Sequence, residues 1–194
     1  MQQSNHQRFT DNLFSHSNSN TMINKIQPIT VLTFCLLSVW SIISCKKEKE
    51  AIGTDKELFE MAKATSGFTW FKNSSSLLDK SSGSGHPQPF LRTRYNSVAA
   101  AELDSNGKIM AGAIFPEGSL IVKELYDNST TLGRYAILYK KTGSADADAN
   151  GWVWGYINAD GGVAEAASKK GSSCSSCHSQ TDNIDYMLMN KYFP

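Results

Sequence analysis

The sequence has little cysteine and histidine and no excess of charge of either sign. Its 194 residues include four cysteines and four histidines, and the formal net charge is +1. Four cysteines are too few for a disulfide-rich scaffold, and no basic cluster indicates a surface for nucleic acid. With 40% hydrophobic residues, the composition is typical of one folded domain of ordinary size.

A long hydrophobic run is also lacking. The apolar run that ends at Ile43 has about fifteen positions, whereas a transmembrane helix needs about 20. Residues 1–21 are polar and rich in Asn and Ser, so we exclude them from the mature protein. Residues 22–44 have the cation and the short apolar core of a secretion signal.

The signal ends at Ile42-Ile43-Ser44-Cys45, which resembles the lipobox of bacterial lipoproteins. The resemblance implies cleavage before Cys45, lipidation of its thiol, and an exported chain held on the periplasmic or cell-surface side by its lipid. An uncleaved anchor is the alternative. Residues 45–53 would be a charged tether, and residues 54–194 the folded domain.

The folded domain combines helical and strand patterns. The spacing of Thr54 and Glu57 is that of a capping box and predicts a helix that ends near Thr65. Asn96 is a candidate cap for a short Ala-rich helix. Three segments rich in β-branched and aromatic residues are predicted to be strands. A Ser/Gly-rich segment is predicted to be a loop, and the C-terminal segment is predicted to be a helix. The segments are 118–127, 134–141 and 151–162 for the strands, 74–88 for the loop and 174–194 for the helix. The fold class is therefore α+β and β-rich, an antiparallel sheet with an N-terminal and a C-terminal helix.

The C-terminal segment begins with the motif CSSCH. Its thiols, Cys174 and Cys177, are spaced to form thioethers to the two vinyl groups of one haem, and His178 follows as the ligand of the iron. A disulfide-exchange site is a weaker alternative because no thioredoxin-like pattern surrounds it, and a zinc site would need more Cys or His. The motif predicts one covalent haem c on the C-terminal helix.

The second side of the iron is less determined. Met187 and Met189 lie too near His178 in the chain to reach the opposite face of the ring. Met110, His86 or no protein ligand remain, and an open position is the leading expectation. His86 stands in the Ser/Gly-rich loop, where a solvated side chain is the usual outcome.

Several further segments resemble one family. The run GAIFPEGSLIVKEL over 112–125, Gly151-Trp152, CSSCH, and the closing Asp185-Tyr186-Met187 and Tyr192-Phe193-Pro194 are similar to those of the cytochrome P-460 family and its relatives, the cytochromes c′-beta. The resemblance covers about 89–194. It implies a β-rich fold with a five-coordinate haem that binds or transforms small nitrogen species such as nitric oxide and hydroxylamine.

The resemblance also implies roles for three side chains. Lys123 matches a lysine that P-460 proteins bond to the porphyrin edge, and strand alternation places it on the face of apolar neighbours. Arg94 matches an arginine that pairs with a haem propionate or lines the pocket, and a position on the surface is the alternative. Tyr139 stands where hydroxylamine-oxidising members have a pocket carboxylate, so a base for hydroxylamine would be missing and the enzyme assignment stays open.

Two functions therefore remain open from the sequence. The first is a haem pocket for small nitrogen species, with the strands of Lys123 and Tyr139 as its distal wall. The second is a six-coordinate electron-transfer cytochrome with Met110 or His86 as the sixth ligand. Both imply a periplasmic redox partner, and the sequence leaves a homodimer open.

Overall fold

The computed structural model describes residues 48–194, so the signal segment and Cys45 lie outside the described residues. Within them, eight strands form one antiparallel sheet in the order β1-β8-β7-β6-β5-β4-β2, and β3 also pairs with β4. The strands are β1 (Lys49–Glu50), β2 (Phe68–Trp70), β3 (Leu78–Asp79), β4 (Phe90–Asn96), β5 (Leu120–Tyr126), β6 (Leu132–Lys140), β7 (Trp152–Asn158) and β8 (Gly162–Glu165).

Helices within residues 48–194 are few and short. They are α1 (Gly53–Lys63), α2 (Ser97–Ala100), α3 (Ser175–His178) and α4 (Met189–Tyr192), with 3-10 turns at Phe71–Asn73 and Ala167–Lys169. The predicted α+β, β-rich class is confirmed. The single helix predicted over 174–194 is replaced by α3 and α4 with a turn between them. None of the helices described here is long and apolar enough to cross a membrane.

The two predicted helix caps have different outcomes. Asn96 does cap α2, because its side-chain oxygen accepts a hydrogen bond from the backbone N–H of Ala99 at 2.9 Å. The capping box of Thr54 and Glu57 does not form. Helix α1 begins one residue before Thr54, its first turn has no side-chain cap, and Glu57 instead pairs with Lys141.

Side chains alternate between the two faces of the sheet, and each face carries its own apolar cluster. The first cluster packs β5, β6 and β7 against the C-terminal segment, and it includes Ile121, Leu138 and Trp154. The second packs the other face of the same strands against α1, and it includes Val122 and Ile137. The C-terminal segment and helix α1 therefore cover opposite faces of one sheet.

A buried ion pair lies on the α1 face. The guanidinium of Arg94, which is fully buried, lies 3.0 Å from the carboxylate of Glu124, and Arg92 approaches the same carboxylate at 2.6 Å. Arg94 also donates hydrogen bonds to the carbonyl oxygens of Ala62 and Ala64 at the end of α1. Because these carbonyls have no partner within the helix, Arg94 both caps α1 and holds it on the sheet.

We expect Glu124→Gln to destabilise the domain by about 3 kcal/mol, because the variant leaves the Arg94 guanidinium buried beside a neutral amide. Urea unfolding of the two proteins measures the difference. The matched control is Glu60→Gln in the exposed pair with Lys63, which should cost less than about 1 kcal/mol. Equal losses in both variants would contradict a stabilising role for the buried pair.

Candidate functional site

A cavity of about 470 Å³ opens on the sheet face opposite α1. The floor of its inner recess is a row of side chains that face each other across neighbouring strands: Thr93, Lys123, Ala136, Tyr156 and Glu165. We call these residues the floor row. Three of them, Lys123, Tyr156 and Glu165, also line the larger cavity. The central member of the row, Ala136, is small, so the space above it stays open between Lys123 and Tyr156. The C-terminal segment and the loop that carries His86 form the cavity walls.

The CSSCH motif stands at the rim of this cavity. Both cysteines are free thiols, Cys174 precedes helix α3 and Cys177 lies within it, and both line the cavity. The chain reaches α3 through Gly171, which has φ +67° and lies against the indole of Trp154. A Cβ at this position would approach the indole to 2.6 Å. Glycine therefore allows the motif to pack close to the sheet.

His178 is oriented by a backbone carbonyl. Its Nδ1 lies 2.8 Å from the carbonyl oxygen of Tyr186, so Nδ1 carries the proton and Nε2 keeps its lone pair. Trp154 packs edge-on against the ring at 5.3 Å. Burial, aided by the positive charge of Lys123, lowers the pKa of His178 to about 4. The imidazole is therefore neutral at neutral pH, which is the form that binds a metal ion.

The carbonyl of Tyr186 is presented by a strained turn. Asp185 and Tyr186 have φ +44° and +70°, and residues other than glycine rarely adopt this backbone region. The Asp185 carboxylate holds this turn, because it accepts hydrogen bonds from the indole of Trp152 at 3.0 Å and from the backbone N–H of Phe115 at 2.9 Å. The segment Asp185-Tyr186 thus fixes the orientation of the His178 ring.

Lys123 faces the cavity, as strand alternation predicts, on the same side of β5 as Ile121 and Leu125. Burial lowers the pKa of its ammonium to about 8. Among the described residues no carboxylate pairs with it. An amine with a depressed pKa is neutral in a larger fraction of molecules and is a better nucleophile than a surface lysine.

The family model for cytochrome P460 matches residues 68–189, which include the whole floor row and the CSSCH motif. The chain belongs to the cytochrome P460 family. It is therefore a c-type cytochrome of the P-460 kind. A comparison with curated proteins finds no match.

The residues around the cavity fit the haem that the cytochrome P460 family implies. Two free thiols and an imidazole with an open Nε2 converge on one space, and the inner recess of that space is lined by Trp154, Met187 and other apolar side chains. A haem needs these three attachments and a largely apolar environment. Cys174, Cys177 and His178 are the residues that would hold it.

Two residues with predicted pocket roles lie elsewhere in this cytochrome P460 fold. Tyr139 is an odd number of positions from Ala136, so it lies on the opposite face of β6, where it packs against the apolar cluster under α1. Arg94 is buried on that same face in the ion pair with Glu124. The assignments of Tyr139 as a distal group and of Arg94 as a propionate partner are therefore corrected.

The candidate sixth ligands separate clearly. Met110 is 41% exposed and does not line the cavity. Met189 lines the inner recess, but its sulfur accepts a hydrogen bond from Thr93 at 3.2 Å. His86, expected to be solvated, lies inside the cavity instead. Its Nδ1 is 3.3 Å from the hydroxyl of Tyr156, and its ring centroid is 6.4 Å from that of His178.

Sequence reasoning missed two members of the floor row. Glu165 lines the cavity with one carboxylate oxygen buried and without a hydrogen-bond partner, while the other oxygen lies 3.2 Å from the Lys169 ammonium. Tyr156 stands next to it on β7. The turn at Asp160-Gly161-Gly162 indicates from the sequence that β7 pairs with the residues that follow it. The sequence does not show which residues face each other, because a bulge beside Ile157 shifts the register.

Proposed function

We propose that this cytochrome carries one haem bound covalently through Cys174 and Cys177, and that it binds small nitrogen species such as nitric oxide or hydroxylamine at the iron. The observation that carries the proposal is the open cavity between the CSSCH motif and the floor row. When bound, the haem supplies an iron centre for small ligands. In the state that accepts a ligand, His178 is the one protein ligand of the iron.

The haem should stay with the polypeptide after denaturation and acid–organic extraction, because two thioethers hold it. Replacing Cys174 and Cys177 together with Ala should release all of it. The readout is haem absorbance that migrates with the denatured chain. The control is Ser175→Ala with Ser176→Ala, which keeps both thiols. Haem that is extracted from the wild type would refute covalent attachment.

Lys123 is proposed to bond to the porphyrin edge, as in the P-460 proteins that the sequence resembles. The new bond would replace one N–H of the amine and one C–H of the porphyrin edge, so its formation would need an external two-electron oxidant. The low pKa of Lys123 and its position on the cavity floor support this role. A bonded haem should absorb at longer wavelengths than ordinary c-type haem, and Lys123→Ala should restore the ordinary spectrum. Lys80→Ala, in the surface loop, is the matched control. An ordinary spectrum in the wild type would indicate the cytochrome c′-beta chemistry instead.

Glu165 is proposed as the proton acceptor for bound hydroxylamine. Its buried, unpartnered oxygen lies in the floor row beside Tyr156, so a carboxylate is available although β6 supplies none. The sequence-based expectation of a missing base rested on Tyr139, which lies on the other face of the sheet. Glu165 therefore makes conversion of hydroxylamine chemically feasible.

Under this proposal, with a soluble one-electron acceptor added to take up the electrons, Glu165→Gln should lower the rate of hydroxylamine oxidation by about 10²- to 10⁴-fold, the usual contribution of a positioned base. Nitric oxide binding should persist, since it needs no proton transfer. Tyr139→Phe is the control and should leave the rate unchanged. A wild type that binds nitric oxide but does not turn over hydroxylamine would reject Glu165 as a base and leave the binding function intact.

Electron transfer is a second candidate function, and the position of His86 favours it. A histidine on each side of the iron would make a six-coordinate centre suited to passing electrons to a periplasmic redox partner. Nitric oxide binding decides between the candidates, because a pure electron-transfer centre would not exchange its protein ligand.

We also propose an exported, lipid-anchored form. The lipobox-like ending at Cys45 supports it, and that segment lies outside the described residues. Intact mass of the membrane-extracted chain tests it: acyl chains should be present in the wild type and absent from Cys45→Ser.

A further inference from the structure

We propose that His86 is the second protein ligand of the ferric haem iron, on the side opposite His178, so that a small molecule binds only after His86 has left. The inference rests on the proposed haem attachment at CSSCH and assigns a role to a residue outside that motif. It also departs from the open position that the sequence resemblance implies.

The separation of the two imidazoles is the first argument. Since a first-row metal lies about 2 Å from a ligating imidazole nitrogen, two imidazoles on opposite sides of one iron have ring centroids roughly 6 Å apart. The centroids of His86 and His178 are 6.4 Å apart. Their planes are inclined by 73°, so the rings do not stack on each other. This separation leaves space for one metal ion between them.

The hydrogen bonds of both rings supply the second argument. A ligating imidazole commonly uses its other nitrogen to donate to an oxygen, which fixes the tautomer and the ring direction. His178 does this with the carbonyl of Tyr186, and the Nδ1 of His86 lies 3.3 Å from the Tyr156 hydroxyl. Neither Nε2 atom has a hydrogen-bond partner within residues 48–194. Both rings thus leave the metal-binding nitrogen available.

The hydroxyl of Tyr156 is itself held in place. The guanidinium of Arg134 lies 4.5 Å from the Tyr156 ring centroid, and the same Arg134 donates a hydrogen bond to Asn158 at 2.6 Å. Tyr156 therefore presents its oxygen at a fixed point above the floor row. His86 has a support comparable to the one that the Asp185-Tyr186 turn gives to His178.

The loop that carries His86 can move and so take His86 away from the iron. Residues 81–87 make no backbone hydrogen bond to another element of the described chain, and the bonds that they do make are local, such as Ser84 to Ser81. Gly85, directly before His86, has open space where a Cβ would lie. The contacts of this segment with other elements include those of Gly83 with the Tyr192 ring and of His86 with Tyr156. Because no backbone hydrogen bond ties it to another described element, this segment can open at a lower cost in free energy than the strands of the sheet. His86 can therefore be replaced by an external ligand.

Lys123 is the competing ligand, because its amine lines the same cavity. Lys123 belongs to strand β5, whereas His86 belongs to the loop, so each can be substituted without changing the element that carries the other. Met110, outside the cavity, supplies a control for the loss of any ligand-type side chain.

The test is the visible absorption and electron paramagnetic resonance of the ferric holoprotein and its variants. We expect a low-spin wild type, loss of the low-spin signal in His86→Ala, and its return when imidazole is added to that variant. Met110→Ala should stay low-spin, and loss of the low-spin signal in His86→Ala while Lys123 is still present excludes Lys123 as the ligand. A high-spin wild type, or a low-spin signal that survives in His86→Ala, would overturn the proposal. Haem that is lost on extraction would instead overturn covalent attachment, so the two failures are distinguishable.

Nitric oxide binding gives an independent readout. If His86 must leave first, the observed rate in the wild type should level off at high nitric oxide concentration, while in His86→Ala it should rise in proportion to concentration. Proportional kinetics with equal rates in both proteins would contradict a ligand that has to leave.

Discussion

The two-residue alternation of side chains across one antiparallel sheet determines what each strand contributes. The C-terminal segment covers one face of the sheet, and α1 covers the other. Whether a residue faces the cavity or the ion pair therefore depends only on its parity, that is, on whether its position along the strand is odd or even. Lys123 and Glu124 are adjacent in sequence, yet one faces the cavity and the other binds Arg94. A shift of one residue in register would exchange an amine for a carboxylate at the cavity floor.

Parity also explains which predictions succeeded. Lys123 lies on the predicted face of β5 because that prediction depended on alternation within the strand and on neighbours that are plainly apolar, while its bond to the porphyrin stays a prediction. The assignment of Tyr139 depended on a position inferred by likeness, and an error of one residue moves a side chain to the opposite face of the sheet. Arg94 was misplaced for the same reason. The fold class and the CSSCH motif could be read directly, since strand composition and thiol spacing are local properties of the sequence.

The remaining features depend on contacts between distant segments. His86 is separated from His178 by 92 positions, and no local pattern indicates that a Ser/Gly-rich loop folds over the cavity. The C-terminal helix was overpredicted because the strained turn at Asp185 and Tyr186 interrupts it. That turn is held by Trp152 and Phe115, which are remote in sequence. At the site itself, tertiary contacts therefore override the local preference of the chain for helix or loop.

A histidine on a short loop would select ligands by competition. A tethered group acts at an effective concentration in the mM range, so its presence weakens every external ligand by the same factor. The apparent affinity of an external ligand falls in proportion to the fraction of molecules in which the iron is free. Weak ligands such as water or common anions are then excluded, whereas a ligand with very high affinity for haem iron still displaces the imidazole. A replaceable His86 would thus make a six-coordinate resting iron compatible with the proposed binding of small nitrogen species.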